Sequence, residues 1–229
     1  MKKLSVSMTR LEFCFGWFYL ALQLLVLPSL LTMVNGLLPK PLPAALVNFL
    51  FFTLNFICTA AIFHRFLAKS LGKALQAPAH VLKAALLGVV LNYAGSFVVS
   101  FLILLHNPEF TNVNTQAISE MAQEYRLLMS LGTILLVPVA EESLFRGLVF
   151  RPLYNRKPWM GYLASSLLFA SIHVVGYIGR FDALTLLLCL VQYFPPSLCL
   201  GWAYAKTDTI CAPILMHVII NAIGIFAMR

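Results

Sequence analysis

The stretch that decides the fold is residues 127–150, LLMSLGTILLVPVAEESLFRGLVF. Its first part, residues 127–140, is fourteen apolar or small residues long. At the rise of an α-helix it covers about 21 Å of a hydrocarbon core about 30 Å thick. The helix crosses a bilayer only if it continues through Glu141, Glu142 and Arg146. Because charged groups inside a membrane normally face the protein interior or a wet cavity, we predict a spanning helix with inward-facing acids.

The composition of the 229-residue chain also points to a membrane protein. Apolar residues make up 61% of it and charged residues only 10%, whereas a soluble domain carries about 25% charged residues. This excludes a cytosolic enzyme, a disordered chain and a secreted disulfide scaffold. The net charge is +8. In a membrane protein an excess of basic residues usually reflects how the chain is oriented across the bilayer, so we expect no nucleic-acid partner. The predicted fold class is all-α: a polytopic helical membrane protein with about seven transmembrane helices.

Six further apolar segments complete the predicted set of spans. The first could be a signal peptide, but its apolar core is too long and no A-x-A-like cleavage site follows, so we expect it to be retained. Residues 64–80 are basic and amphipathic and should lie on the membrane surface, and residues 106–126 should form a polar outer loop. The six segments are residues 11–38, 44–63, 81–105, 159–178, 183–204 (with a kink at Pro195-Pro196) and 209–228.

The distribution of basic residues predicts the orientation. With the N-terminus inside, most Lys and Arg residues lie on the cytoplasmic side, which favours an N-in, C-out arrangement. Without the span at residues 127–150, Arg151, Arg156 and Lys157 would lie outside. The same rule therefore supports keeping that span.

Three of the predicted spans carry polar groups that a purely structural helix would avoid. Glu142 and Arg146 are four residues apart on one helical face, where an ion pair is natural. Glu141 points about 100° away from that pair and is left free. His217 and Asn221 share a face in the same way. The full set of candidate site residues is Glu141, Glu142, Arg146, His173, His217 and Asn221.

These residue types suit the hydrolysis of a peptide bond by water. A carboxylate in a low-dielectric cavity near a cation is a suitable general base. One histidine could assist it, and a second histidine with an asparagine amide could stabilise an oxyanion. Equally, Glu141, His173 and His217 could bind a zinc ion that activates the water.

Three motifs together resemble those of the CPBP family, the type II CAAX prenyl endopeptidases and the bacteriocin-processing or self-immunity proteins. They are E-E-x-x-x-R over residues 141–146, F-x-x-x-H over residues 169–173 and H-x-x-x-N over residues 217–221. Their order, separation and placement on three helices agree with the family. The resemblance implies a catalytic helical core over residues 127–229. Residues 1–126 would then be variable N-terminal helices of the same integrated membrane domain.

The resemblance also implies a role for each motif residue. Glu141 would activate the water with His173 assisting, while His217 and Asn221 would stabilise the oxyanion. The second acid and the arginine of the first motif would set the helix geometry. Both a metal-dependent and a metal-free glutamate mechanism are argued for the family. We favour the metal-free mechanism, because His217 and Asn221 form a natural donor pair and the zinc signature H-E-x-x-H is absent.

The sequence thus predicts an intramembrane endopeptidase of the bacterial cytoplasmic membrane. Its partners would be the lipid bilayer and a membrane-associated peptide, prenylated or a leader, which it cuts near the peptide's cytoplasmic end. Two alternatives remain open. One is a non-catalytic self-immunity or partner-binding protein. The other is a proton-coupled transporter, for which the expected repeated halves are not evident in the sequence.

Overall fold

The predicted all-helical fold is confirmed by the computed structural model, which describes residues 3–228. It is 84% helical, and the described residues form no strand beyond an isolated bridge between Ile178 and Phe181. The helices are α1 (Arg10–Leu25), α2 (Leu27–Gly36), α3 (Ala44–Ile62), α4 (His64–Gln76), α5 (Pro78–His106), α6 (Val113–Glu124), α7 (Arg126–Arg156), α8 (Pro158–Ile172), α9 (Ala183–Gln192), α10 (Phe194–Thr207) and α11 (Cys211–Ala227).

The sequence predicts about seven membrane-crossing helices. In the structure, fewer helices are long and apolar enough to cross a membrane. Five helical stretches of the described chain qualify, and a sixth does so if α1 and α2 are one bent span. The remaining candidate, α11, is apolar but only 17 residues long. It follows the turn at Asp208, whose φ of 54° ends α10. The chain is nevertheless an integral membrane protein with a polytopic helical fold.

The first predicted span is bent rather than straight. The axes of α1 and α2 differ by 46° on either side of Val26. Pro28, at the second position of α2, lacks the N–H that would bond to the carbonyl of Leu24 in a continuous helix, and its ring would clash with that carbonyl. The bend therefore follows directly from the position of this proline.

Helix α7 occupies the centre of the bundle and contacts α1, α3, α8, α10 and α11. It runs without interruption through the three charged residues, so the predicted continuation past Ala140 is correct. Two stretches, Leu131–Leu136 and Ser143–Phe150, are wound as π-helix, with hydrogen bonds to the fifth preceding residue. Such wide turns are frequent at functional sites. Glu141 and Glu142 lie between them.

Four separate segments meet at one end of the bundle. The backbone of Leu4 exchanges hydrogen bonds with the Asn155 side chain, at 2.8 and 3.0 Å. Ser5 donates to the Asp208 carboxylate through its backbone nitrogen at 2.8 Å and its hydroxyl at 2.7 Å. Lys73 of α4 forms an ion pair with the same carboxylate. The charge pattern assigns all of these segments to the cytoplasmic side, and they do lie together.

Asp208 should stabilise this end of the molecule in a pH-dependent way. Burial opposes the ionised form, but the hydrogen bonds from Lys73 and Ser5 outweigh it and hold the pKa of Asp208 below its ordinary value of 3.8. A carboxyl group with a depressed pKa stabilises the fold above its unfolded pKa. That stability is lost as the pH falls through the folded pKa.

We therefore expect Asp208→Asn, which keeps a residue tolerant of the left-handed backbone, to lower the free energy of unfolding at pH 7 by about 1 kcal/mol. The loss should shrink as the pH falls below 3.8. Thermal unfolding of the detergent-solubilised wild type and variant, from pH 7 to below pH 3.8, measures this loss of stability. Lys73→Met should give a similar loss and add little to Asp208→Asn. A loss of the same size at every pH would contradict the ion-pair explanation.

Candidate functional site

The candidate residues come from three helices and meet at one cavity. Glu141 lies in the middle of α7, His173 follows the last residue of α8, and His217 and Asn221 lie on α11. All four side chains line a cavity of about 510 Å³. Glu142 and Arg146 lie behind this cavity wall and are completely buried.

The second acid of the motif holds the arginine inside the bundle. Glu142 Oε2 lies 3.1 Å from Arg146 Nε, as the spacing of four residues predicts. Arg146 Nη1 donates to the Ser165 hydroxyl at 2.6 Å, and its guanidinium carbon lies 5.0 Å from the centre of the Phe169 ring. A buried guanidinium needs such compensation because it has left water. These contacts fasten α7 to α8.

His217 lies between the two acids. Its Nδ1 is 2.9 Å from Glu142 Oε1, and its Nε2 is 4.0 Å from Glu141 Oε2. Glu142 is therefore shared between Arg146 of its own helix and His217 of α11. Sequence reasoning missed this second contact, because helical periodicity reports neighbours within a helix and His217 is 75 residues away along the chain. The contact orients the imidazole from behind.

Glu141 is the acid that remains available for chemistry. Its Oε2 is buried and has no hydrogen-bond partner among the described residues. Its side chain keeps 14% of its surface exposed, where it faces the cavity. This agrees with the sequence argument that one acid is paired and the other, 100° around the helix, is left free. A carboxylate placed in this way can accept a proton from a bound water.

His173 lies where the α-helical part of its span ends. The predicted span over residues 159–178 corresponds to the apolar stretch Pro158–Tyr177, but its α-helix ends at Ile172 and a short 3-10 turn follows at Val175–Tyr177. Its Nδ1 lies 2.8 Å from the carbonyl oxygen of Phe169, one of the carbonyls that a helix C-terminus leaves without an intrahelical partner. With Nδ1 engaged there, the other ring nitrogen is left for chemistry.

Tyr193 supports the His173 ring and was not identified from the sequence. The two rings stack with their centres 4.1 Å apart and their planes 23° apart. The Tyr193 hydroxyl accepts a hydrogen bond from Asn114 at 2.9 Å. Tyr193 occupies the break between α9 and α10, just before Pro195 and Pro196, where the sequence predicts a kink. The kink was therefore a signal that the chain turns towards the site here.

Asn221 is held by an unusual backbone acceptor. Its Nδ2 donates to the carbonyl oxygen of Thr133 at 2.7 Å. In an α-helix that carbonyl would bond to the N–H of Val137, but in the wide turn Val137 bonds to Gly132 instead. Pro138, the next residue, has no N–H to offer. The π-helical turn thus frees a carbonyl that positions the Asn221 amide, whose second hydrogen remains available.

The same geometry tests whether Glu141, His173 and His217 could bind a zinc ion. Among residues 3–228, no group of three His, Cys, Asp or Glu side chains is arranged so that it could hold a metal ion. Nδ1 of each histidine is engaged, with Phe169 and Glu142 respectively, and Nε2 of each is left for other contacts. Because these described residues do not form a three-ligand group, no chemical step is assigned to a metal.

Comparison with known proteins agrees with the three motifs. The relatives include the UPF0177 protein YxdF of Lactococcus lactis subsp. lactis (strain IL1403), which is 26% identical over 155 residues, or 63% of this chain and 76% of that protein. An uncharacterized 24.3 kDa protein of Escherichia coli is 31% identical over 102 residues, covering 43% of each chain. No solved structure matches the chain.

A protein-family match covers residues 123–223, with the description type II CAAX prenyl endopeptidase Rce1-like. This segment contains every candidate site residue, from Glu141 to Asn221. It is also the part of the chain that carries the three CPBP motifs, so the resemblance seen in the sequence is confirmed. Over this segment the chain is similar to the Rce1-like type II CAAX prenyl endopeptidases.

Proposed function

We propose that the protein is an intramembrane endopeptidase that uses Glu141 to activate water against a peptide bond of a membrane-associated peptide. The family is one of CAAX-type proteases, which supports the reaction class. The observation that carries the proposal is the Glu141 carboxylate, which faces the cavity with one oxygen unpartnered. We place the protein in a bacterial cytoplasmic membrane, since both relatives named above are bacterial.

In the proposed first step, a water molecule between Glu141 and His173 gives a proton to the Glu141 carboxylate. The water oxygen attacks the carbonyl carbon of the substrate and forms a tetrahedral intermediate. His173 assists by holding the water, and stacking on Tyr193 fixes the plane of its ring. Proton transfer to a positioned base in this way contributes about 10²–10⁴-fold to a rate.

The negative charge on the former carbonyl oxygen then needs hydrogen-bond donors. Asn221 offers the amide hydrogen that Thr133 does not use. His217 can donate from Nε2 while Nδ1 donates to Glu142 only if the ring carries both protons. The Glu142 carboxylate, 2.9 Å from Nδ1, supplies the compensating negative charge, since Glu141 holds the water proton at this stage.

The intermediate collapses by breaking the C–N bond. The proton held by Glu141 passes to the leaving nitrogen, which departs as an amine, and the other product is a carboxylic acid. Glu141 is thereby returned to its carboxylate form. No covalent enzyme intermediate is needed, which fits a cavity whose reactive groups are an acid, imidazoles and an amide.

The alternative function, non-catalytic immunity or partner binding, would use the same polar core for stability. The Glu142–Arg146 pair fits that role, because both side chains are buried and paired. Glu141 fits it less well, because it has no arginine partner and its side chain lines the cavity, while a buried acceptor without a partner costs about 1–3 kcal/mol of stability. Retaining such a group is understandable where it has a chemical task, and this favours catalysis.

The first test compares the membrane-peptide inventories of cells expressing wild type and Glu141→Gln, measured by mass spectrometry. We expect cleaved products that require wild type and whose formation falls at least about a hundredfold in the variant, because the amide cannot accept the proton. Glu109→Gln is the matched control, since Glu109 is an exposed glutamate in the turn after α5 and its replacement should leave cleavage unchanged.

A folded Glu141→Gln protein that cleaves at the wild-type rate would overturn the proposed mechanism. If no product depends on wild type, and Glu141→Ala abolishes partner binding or protection instead, the immunity alternative is supported.

The second test separates the structural and positioning roles of Glu142. Glu142→Gln should lower the free energy of unfolding by about 3–5 kcal/mol, because it leaves a buried charge uncompensated. The double variant Glu142→Leu/Arg146→Met removes both charges and should recover most of the stability. It should still cleave poorly, because His217 has lost the carboxylate that orients it. Thermal unfolding and cleavage are measured on the same preparations. Cleavage by the double variant at the wild-type rate would contradict the role of Glu142 in positioning His217.

A further inference from the structure

A second, smaller cavity lies at the end of the bundle that carries Asp208, and we call it the basic pocket. Its volume is about 180 Å³. It shares no lining residue with the cavity that holds Glu141. The N-terminal segment, α4, the first turn of α5 and the end of α10 build its wall. Because ligand sites for drug-sized molecules measure about 300–1,000 Å³, the basic pocket is suited to a smaller chemical group.

The lining of the basic pocket carries more positive than negative charge. Three lysines, Lys3, Lys73 and Lys206, line it together with the carboxylate of Asp208. With His80 neutral, three positive charges and one negative charge leave a net charge of +2. Lys73 is paired with Asp208, but among residues 3–228 neither Lys3 nor Lys206 forms an ion pair with an acid. Two like charges at one pocket repel each other, so an anion that enters between them is favoured.

Asp208 does not present a free negative charge to such an anion. Its Oδ1 accepts a hydrogen bond from the backbone nitrogen of Ser5 at 2.8 Å, and its Oδ2 accepts one from the Ser5 hydroxyl at 2.7 Å. Lys73 forms its ion pair with the same carboxylate. The charge of Asp208 is therefore compensated within the protein, while the two other lysines keep theirs.

The backbone around the basic pocket also accommodates an anion. The end of α10 would oppose one through its free carbonyls, but the Tyr204 carbonyl accepts the Asp208 N–H at 2.8 Å, and the Lys206 carbonyl oxygen lies 3.2 Å from His80 Nε2. The 29-residue helix α5 begins at Pro78, and His80 lies in its first turn. The positive end of the α5 dipole is thus at the pocket, where it favours negative charge.

The surface of α4 beside the basic pocket has the pattern of a helix that lies on a membrane. Leu71 and Leu75 are exposed on one side of α4, and Arg65 and Lys69 are exposed on another. Exposed leucines next to basic residues are typical of helices in the interface between lipid and water. Lys73, one turn after Lys69, brings α4 to the pocket. The charge pattern assigns this end to the cytoplasmic side, whose leaflet carries anionic lipids.

The chemistry of the pocket matches a phosphate group, which lysine ammonium groups bind as point charges. We propose that the basic pocket binds a phosphate group and that Lys3 and Lys206 hold it. The headgroup of an anionic phospholipid and phosphate in solution both offer this group, and the surface of α4 favours the headgroup. The inference concerns a site separate from Glu141 and does not depend on the proposed protease function.

The test measures the two sources of phosphate separately on the full-length protein. In one arm, protein in a neutral detergent is mixed with equal amounts of phosphatidylglycerol and phosphatidylcholine, and native mass spectrometry counts the lipids that each protein retains. In the other arm, inorganic phosphate is added, with chloride at equal ionic strength as the reference. The temperature of thermal unfolding is then recorded.

We expect phosphatidylglycerol to be retained in clear preference to phosphatidylcholine. Lys3→Gln/Lys206→Gln should lower this retention at least about tenfold, because two charged hydrogen-bond donors to the phosphate are lost. Arg65→Gln/Lys69→Gln is the matched control, since it removes the same charge from exposed residues of α4 outside the pocket. It should leave retention nearly unchanged. If the first double variant does not fold, Lys3→Gln and Lys206→Gln alone make the same test with a smaller loss.

Equal retention of the two lipids, together with an unfolding temperature that inorganic phosphate does not raise, would refute the site. An equal loss of retention in Arg65→Gln/Lys69→Gln would refute it as well, because a diffuse basic surface would then explain the binding. If inorganic phosphate raises the unfolding temperature only when Lys3 and Lys206 are present, and neither lipid is preferred, the site binds phosphate from solution.

Discussion

The buried Glu142 carboxylate is the contact on which the rest of the site depends. One of its oxygens lies 3.1 Å from Arg146 and the other 2.9 Å from His217. Through Arg146 and Ser165 it fastens α8 to α7, and through His217 it fastens α11. Arg146 and His217 contact Glu142 from behind, and the adjacent Glu141 faces the cavity. The two acids thus lie in different surroundings, one inside the bundle and one on the cavity wall.

The backbone contributes to the site as directly as the side chains. The π-helical turn before Val137 releases the Thr133 carbonyl, and that carbonyl fixes the Asn221 amide. The end of α8 releases the Phe169 carbonyl, which fixes His173. In both places an irregularity in a helix supplies the acceptor that holds a functional side chain, which is how irregular backbone is tolerated within a membrane protein.

The cavity joins two parts of the chain with different relationships to other proteins. The reactive groups lie within residues 123–223, which match the family, whereas α1–α3 lie outside that segment. The family match therefore supports the proposed reaction class, but it does not extend to the second wall of the cavity, formed by α1–α3.

The sequence by itself determined everything that depends on local periodicity and on transfer to lipid. These features include the helical membrane class, the continuation of α7 through its charged residues, the Glu142–Arg146 pair and the freedom of Glu141. Each follows from the rise and the angular spacing of a helix. By length and composition five or six spans qualify, compared with about seven predicted, because the first is bent between α1 and α2 and α11 is only 17 residues long.

Only the tertiary structure decided which helices meet. The contact of Glu142 with His217, the stacking of Tyr193 on His173 and the hydrogen bond from Asn221 to Thr133 join residues far apart in sequence. Helical periodicity specifies which face of a helix is polar, but not which helix that face will contact. That choice is made by packing of the whole bundle, which brings the α7 acids and the α11 imidazole to the same cavity wall.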